Sequence, residues 1–477
     1  MTPAQTAMLD ALGHTLGPKA IVTDRDAIAP WETDWRRRFH GTAPALLAPA
    51  STAEVAAVVS AAAQHRVPLV PQGGNSSMVG GATPPADGSA MILSLRRMNR
   101  MRSVDPAAGL AVAEAGVILS DLHDAALGVD RRFPLTLGAK GNATVGGLVS
   151  TNAGGTQVLR FGSMRGLVAG VEAVLADGQI HDGLAALKKD NRGYDLTQLF
   201  VGAEGTLGIV TAATLRLVPV PQSRTTAWAA TADPASALAL LRRFQLETEA
   251  LESFEILPSE SLAAVLAHVP GARAPLAGTH RWHLLIEQTD PAGTALTERL
   301  LAAALADGLI ADATIAASEA QAADFWRIRE SISDSERALG PASQHDLSVP
   351  VDTMPRFMVE AAAACEARFP GTHASGFGHL GDGNIHFHVR AAPGTDPARW
   401  YAEDVHVVTR FVDDLVIAAG GSIAAEHGIG QMKRAELERL SSPARLAALR
   451  AVKAAMDPHG ILNPGKLVTL APVAAGQ

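Results

Sequence analysis

The sequence predicts an α+β protein whose sheets are mixed rather than wholly parallel, and three observations carry that prediction. Aliphatic runs of strand length alternate with Ala-rich stretches of helical length in the first half. Tight-turn dipeptides sit inside alternating apolar runs, and the Pro-punctuated stretch Leu217–Ser223 divides the chain.

Taken in order, Ala45 to Ala48 reads as a strand, Ala53 to Gln64 as a helix, and Val67 to Pro71 as a strand running into glycines. Gly109 to Val117 and Val168 to Ile180 are strand-rich, the second with Asp177-Gly178 as a hairpin turn. Two prolines at 219 and 221 disfavour both a helix and a central strand, so a domain boundary is expected there. Beyond it, Pro234 to Glu247 and Asp290 to Leu305 read as helices and His280 to Gln288 as a strand, a smaller α+β unit. From Tyr401 the chain is mostly helical and stops at Asn463-Pro-Gly-Lys466. The expected domains are 1–219, 220–405 and 406–477.

Composition narrows the function classes. With 40 Lys and Arg against 48 Asp and Glu among 477 residues, the net charge of −8 argues against binding nucleic acid through bulk charge. A lone cysteine, Cys365, excludes an internal disulfide framework and any four-cysteine cluster, and points to a reducing compartment, for which the cytoplasm is expected. No run approaches the roughly 18 to 20 apolar residues of a membrane helix, so no transmembrane segment is expected. The first residues lack a basic head before an apolar core, so neither is a secretory signal.

Three regions are glycine-dense, and the first of them follows a strand. The first is Pro71-Gln-Gly-Gly-Asn-Ser-Ser-Met-Val-Gly-Gly81, whose backbone N–H groups could converge on a diphosphate. The second joins Phe133–Gly147 and Ser150–Gly155, with little helix expected, and the third is Val201–Ile209. One such loop by itself is better read as a surface loop, but three suggest one large ligand. No Gly-x-Gly-x-x-Gly opens a helix after the first strand, and the Walker pattern is absent, so a Rossmann or P-loop site is not supported.

A second set of residues carries chemistry. In Gly378-His-Leu-Gly-Asp-Gly-Asn-Ile-His-Phe-His388 a turn at Gly381–Gly383 leads into a strand with Ile385, Phe387 and Val389 on one face and His386 and His388 on the other. If the turn reverses the chain, His379 lies beside His386. Two imidazoles do not make a metal site, and a pair of structural histidines is an equal reading. In Gly420-Gly-Ser-Ile-Ala-Ala-Glu-His-Gly-Ile-Gly430, Glu426 and His427 stand between apolar residues and glycines, where a buried carboxylate needs a partner or a cation. On an extended chain, neighbours point to opposite sides, so the two can face different groups. Finally, Phe325 to Arg337 reads as one helix with Arg329, Ser333 and Arg337 on a common face.

The Gly73-Gly74 loop, Pro134-Leu-Thr-Leu-Gly138, Asn152-Ala-Gly-Gly155, Lys189–Asp195 and Glu204-Gly-Thr-Leu-Gly208 resemble the FAD-binding domain of the vanillyl-alcohol oxidase and p-cresol methylhydroxylase superfamily. The resemblance covers nearly the whole chain and is strongest to the branch of D-2-hydroxyglutarate and D-lactate dehydrogenases. It implies an FAD-binding domain of two α/β subdomains, a smaller α+β substrate domain with an antiparallel sheet, and a helical C-terminal segment returning to the FAD domain. Some relatives attach FAD to a histidine in the first loop. This loop offers Asn75 and Ser76, which implies non-covalent FAD. By resemblance, Gln72, Gly73, Gly74, Asn75, Ser76 and Ser77 hold the pyrophosphate, while Pro134, Thr136, Gly138, Ala139, Gly141, Thr144, Asn152, Gly155 and Ile209 line the rest of the cofactor.

The same resemblance implies His379, His386 and Glu426 as ligands of a divalent metal and His427 as the catalytic base. Zinc suits two imidazoles and a carboxylate and is redox-inert beside a flavin, while manganese, iron or cobalt would also suit the ligand types. Arg329 and Ser333 match positions that hold the substrate, and Asn384 matches the contact to its α-carboxylate. One departure stands out: Gln344 lies where the branch has a lysine, and strand alternation turns His345 away from that face.

The implied activity is oxidation of a D-2-hydroxyacid, D-2-hydroxyglutarate first and D-lactate second, with electrons passed to an electron-transferring flavoprotein or a quinone. The oligomeric state stays open, a homodimer being one form it allows. Two other classes are to be weighed: a non-redox flavin-dependent transferase, such as the ether-lipid synthases, and a non-catalytic metal or carboxylate binding protein.

Overall fold

A computed structural model describes residues 1–17 and 19–470, and its residues cluster into two compact units. Unit 1 takes in Met1–Gly155, Gly162–Val220 and the chain from Glu426; unit 2 takes in Thr156–Phe161 and Pro221–Ala425.

Unit 1 holds two principal sheets. The first contains β1 (Ile21–Val22), β2 (Leu46–Leu47), β3 (Leu69–Gln72) and β4 (Met91–Ser94) in the order β1-β2-β4-β3. β4 runs parallel to β2 and β3, while β1 is antiparallel to β2. The helix α1 (Thr52–His65) separates β2 from β3. Ser51 caps it by accepting from the Glu54 N–H, and Arg66, at φ 56°, ends it in the left-handed region. Val55, Val58, Val59 and Ala62 recur at i, i+3, i+4 and i+7 and are buried with Leu69, Met91 and Leu93 in one core.

The second sheet is antiparallel, with β5 (Met101–Asp105), β6 (Leu110–Glu114), β7 (Val168–Val174), β8 (Ile180–Asp182) and β9 (Ile209–Arg216) in the order β5-β6-β9-β7-β8. The β7–β8 turn is the predicted Asp177-Gly178, with Gly178 at φ 89°. One expectation fails: the second glycine-dense region carries a helix, α2 (Val145–Thr151), ended by Asn152 at φ 50°. Its glycines serve packing there, since a Cβ on Gly146 would come within 2.7 Å of the Ala115 Cβ.

Unit 2 is built on one seven-stranded antiparallel sheet. Its strands are β10 (Thr225–Thr231), β11 (Leu251–Pro258), β12 (Trp282–Gln288), β13 (Asp312–Ile315), β14 (Ala342–Ser348), β15 (His373–His379) and β16 (Asn384–Arg390). They lie in the order β13-β10-β12-β11-β15-β16-β14, which puts β11 at the centre with every residue buried. The predicted helix Phe325–Arg337 is two helices, α3 (Glu319–Glu330) and α4 (Ile332–Arg337), broken at Ser331. Arg329 therefore stands in the last turn of α3 and Ser333 in the first turn of α4. Among the described residues no helix is long and apolar enough to cross a membrane.

Candidate active site

In unit 1 the first glycine loop leaves the end of β3. Gln72 is buried and its Nε2 donates to the carbonyls of Trp31 and Ala82, while Asn75, at φ 53°, donates from Nδ2 to the Thr33 carbonyl. A Cβ on Gly73 would come within 2.1 Å of Thr144 Oγ1, and one on Gly74 within 1.8 Å of the Asn142 carbonyl oxygen, so two of the predicted cofactor loops meet there. The third contact of this kind is Gly155, whose Cβ would lie 2.3 Å from the Thr136 carbonyl oxygen.

Gln72 Oε1, Asn75 Oδ1 and Thr144 Oγ1 are buried without a hydrogen-bond partner among the described residues. Buried polar atoms are rarely left so, and three of them on adjoining loops fit a polar ligand such as FAD. Gly138 and Gly141 face open space with Ala139 exposed between them, and Ser76 in the first loop is partly exposed. Several of the other expected contacts are committed to the fold itself. The Ser77 hydroxyl accepts from the Gly81 N–H at 3.0 Å, Asn152 Oδ1 accepts from Ser163 and Arg165, and Ile209 sits in the core with Pro134 also buried.

Glu426 and His427 open the last segment of unit 1, and their ligand atoms lie within 4.8 Å of each other, so here the two side chains converge instead of diverging. The stretch is irregular, not extended, which removes the alternation expected of it. Glu204, buried and at φ 52°, holds the backbone that follows by accepting from the N–H groups of Ile429 and Gly430, each at 2.7 Å. Burial pushes the Glu204 carboxyl above the usual range against those two hydrogen bonds. Asn463 ties the same region down, donating to the carbonyls of Glu204 and Gly81.

In unit 2 the turn after His379 does reverse the chain, pairing His379 with Asn384 and Phe377 with His386. His379 and His386 are therefore diagonal neighbours on one face of the sheet, with ring centroids 5.8 Å apart and ligand atoms within 4.8 Å. His379 Nδ1 donates to Glu255 Oε1 at 2.6 Å, which makes Nε2 the nitrogen that a metal ion would take. The His386 Nδ1 lies 4.0 Å from Asp346 Oδ1 across the β14–β16 pair.

Arg329 reaches the same cluster from α3. Its Nε donates to Glu255 Oε2 at 2.8 Å, its guanidinium lies 5.2 Å from the Phe377 ring centroid, and its Nη2 is buried with no partner among the described residues. Asn384 donates from Nδ2 to Asp346 Oδ1 and to the Leu347 carbonyl, so its open buried atom is the amide oxygen, an acceptor. Burial pushes the Glu255 carboxyl up, but the charges and hydrogen bonds of His379 and Arg329 outweigh it and hold the group below the ordinary range.

Gln344 pairs with His388 one row beyond the Asp346–His386 pair. His388 is bound through Nδ1 to Glu336, whose other oxygen accepts from Ser261 at 2.6 Å. His345 turns to the opposite face, bonded to the Ser343 hydroxyl at 2.7 Å. Glu255, Asp346 and Glu336 were missed in the sequence, though Glu255 leaves a signal: a carboxylate between Phe254 and Ile256 in an apolar strand needs a buried partner.

The orphaned polar atoms of the glycine loops in one unit suit a polar cofactor, and the imidazole–guanidinium cluster in the other suits an acidic substrate. Residues 43–183 match the FAD binding domain family, and residues 220–467 match the FAD linked oxidases, C-terminal domain. The chain belongs to the FAD-linked oxidase family and is an FAD-dependent dehydrogenase. It is 38% identical over 460 residues to the mitochondrial D-2-hydroxyglutarate dehydrogenase of Arabidopsis thaliana, covering 95% of this chain and 80% of that one. It is 36% identical over 436 residues to the D-2-hydroxyglutarate dehydrogenase of Xanthomonas citri pv. viticola, covering 91% of each. A solved structure of p-cresol methylhydroxylase with substrate bound shares the fold, with a TM-score of 0.77 at 16% identity over 98% of both chains.

Proposed function

We propose that this protein oxidises a D-2-hydroxyacid to the 2-oxoacid, using non-covalent FAD and a divalent metal, zinc by preference, and passes the electrons to an external acceptor. D-2-hydroxyglutarate is the first substrate on the strength of the relatives' names, and D-lactate the second. The observation that carries the reading is the cluster in unit 2, where His379 and His386 stand together and Arg329, tied to His379 through Glu255, keeps a buried nitrogen with no partner among the described residues.

His379, His386 and Glu426 would hold the metal, and Gln72 to Ser77 with the Thr136–Thr144 loop the FAD. When bound, the flavin supplies a hydride acceptor and the ion a Lewis acid for the oxygens of the hydroxyacid. His427 takes up the hydroxyl proton on a ring nitrogen, imidazole being the side chain that titrates near working pH. Glu204 supports that role by holding the backbone two and three residues beyond it. Arg329 receives a substrate carboxylate on Nη2, with the Ser333 hydroxyl one turn further along the chain. The open oxygen of Asn384 suits a donor group of the ligand better than a carboxylate. Gln344 puts a neutral amide where the branch carries a cation, so the far end of the substrate is where this chain can differ from its relatives.

Anaerobic mixing with D- and L-2-hydroxyacids tests the reading. A D-acid should bleach the flavin and its L-isomer should not, and His427→Ala should slow bleaching by about 10²- to 10⁴-fold, the usual worth of a general base. Equal reduction in wild type, His427→Ala and metal-stripped protein would sink it. An electron-transferring flavoprotein or a quinone, tried in turn, identifies the acceptor by turnover.

A further inference from the structure

Glu255 is fully buried on the central strand β11, and each of its oxygens is used once, Oε1 by His379 Nδ1 and Oε2 by Arg329 Nε. Its strand also pairs with β15 so that Glu255 lies directly opposite His379, which leaves little freedom in that bond. We propose that Glu255 is a positioning residue serving both halves of the site: it selects the His379 tautomer that ligates the metal and sets the pose in which Arg329 offers Nη2 to a substrate carboxylate. The inference rests on the metal reading above.

A carboxylate only accepts hydrogen bonds, so the proton of the neutral His379 ring must be on Nδ1 and the lone pair on Nε2. A guanidinium is planar, so gripping Nε, with Phe377 against the guanidinium, fixes where Nη2 points. A pair kept for stability alone is a weak explanation, because buried ion pairs return little net stability. It also does not account for a buried guanidinium nitrogen that has no partner among the described residues.

Glu255→Gln separates the two duties. Arg329 can only donate, so the glutamine carbonyl must face it and the NH2 must face His379 Nδ1. Nδ1 then becomes the acceptor, the proton moves to Nε2, and the metal loses its lone pair. In the FAD-loaded protein, Zn²⁺ binding measured by chelator competition should weaken about 10- to 100-fold. FAD content should stay at the wild-type level, and the ¹⁵N spectrum of His379 should report the other tautomer.

Wild-type zinc affinity, within about twofold at full FAD content, overturns the proposal. If Glu255→Gln is insoluble, Glu255→Asp decides instead: its carboxylate is drawn back by one methylene and should weaken zinc about tenfold, with wild-type affinity again fatal. His379→Ala tells the two readings apart. Zinc lost in His379→Ala but kept in Glu255→Gln removes only the role of Glu255, whereas zinc kept in His379→Ala removes the metal assignment and the proposal with it.

Discussion

Replacing Arg329 by lysine probes the substrate end of the cluster without removing its charge. In the native protein one guanidinium makes the 2.8 Å bond to Glu255, and its Nη2 has no partner among the described residues. A lysine ammonium is a single point on a flexible stem and, held by Glu255, has no second nitrogen to extend. The variant should lose one charge-assisted hydrogen bond to the substrate, about 1.5–3 kcal/mol, or about 10- to 150-fold in affinity. Because that contact is made in the ground state and the transition state alike, the loss belongs in KM with kcat nearly kept. Anaerobic flavin reduction against hydroxyacid concentration measures it directly. Zinc affinity is the internal control, since Glu255 still accepts from His379 in this variant. An unchanged KM, or a loss of zinc in place of substrate, would refute the assignment of Nη2.

Acid should weaken unit 2 through His283. Burial, with the charge of His280 adding, holds this imidazole down at about 4. The unfolded chain takes up that proton near pH 6.5, so the contribution is intact above 6.5 and is lost progressively as pH falls from there toward 4. Between pH 7 and pH 5 the loss is about 2 kcal/mol. His283→Gln, whose oxygen can still accept from Trp228 Nε1, should flatten the pH dependence of the melting temperature, and a slope equal to wild type would contradict this. Gly74→Ala should strip flavin, because its Cβ would sit 1.8 Å from a backbone oxygen that cannot turn aside. Overpacking of about 1–3 kcal/mol predicts FAD retention weakened about tenfold or more, read from the flavin-to-protein absorbance ratio, and full retention counts against it.

Local pattern was enough for much of the architecture. The helix Pro234–Glu247 matches its predicted span because Asp233 caps it and proline sits in its first turn, both visible in the chain. The Asp177-Gly178 hairpin and the alternation of His386 and His388 with Ile385, Phe387 and Val389 follow equally from neighbours in sequence. In two places it misled, and one of them was decided by a distant partner. Glycines at 146 and 147 read as loop, yet Gly146 exists to let a helix approach Ala115. Phe325 to Arg337 kept helical spacing through a break at Ser331 that spacing does not record.

Residue types and spacing, then, settled the presence of glycine-rich cofactor loops, the histidine hairpin and the order of strands and helices along the chain. Tertiary structure alone decided how the donors and acceptors are spent. It brought Glu255 to His379 across 124 positions of sequence, gave Arg329 one occupied nitrogen and one open one, and left Asn384 an acceptor. Those outcomes depend on which strands are neighbours and in what register, and hydrogen-bond capacity is allotted between residues that no local pattern connects.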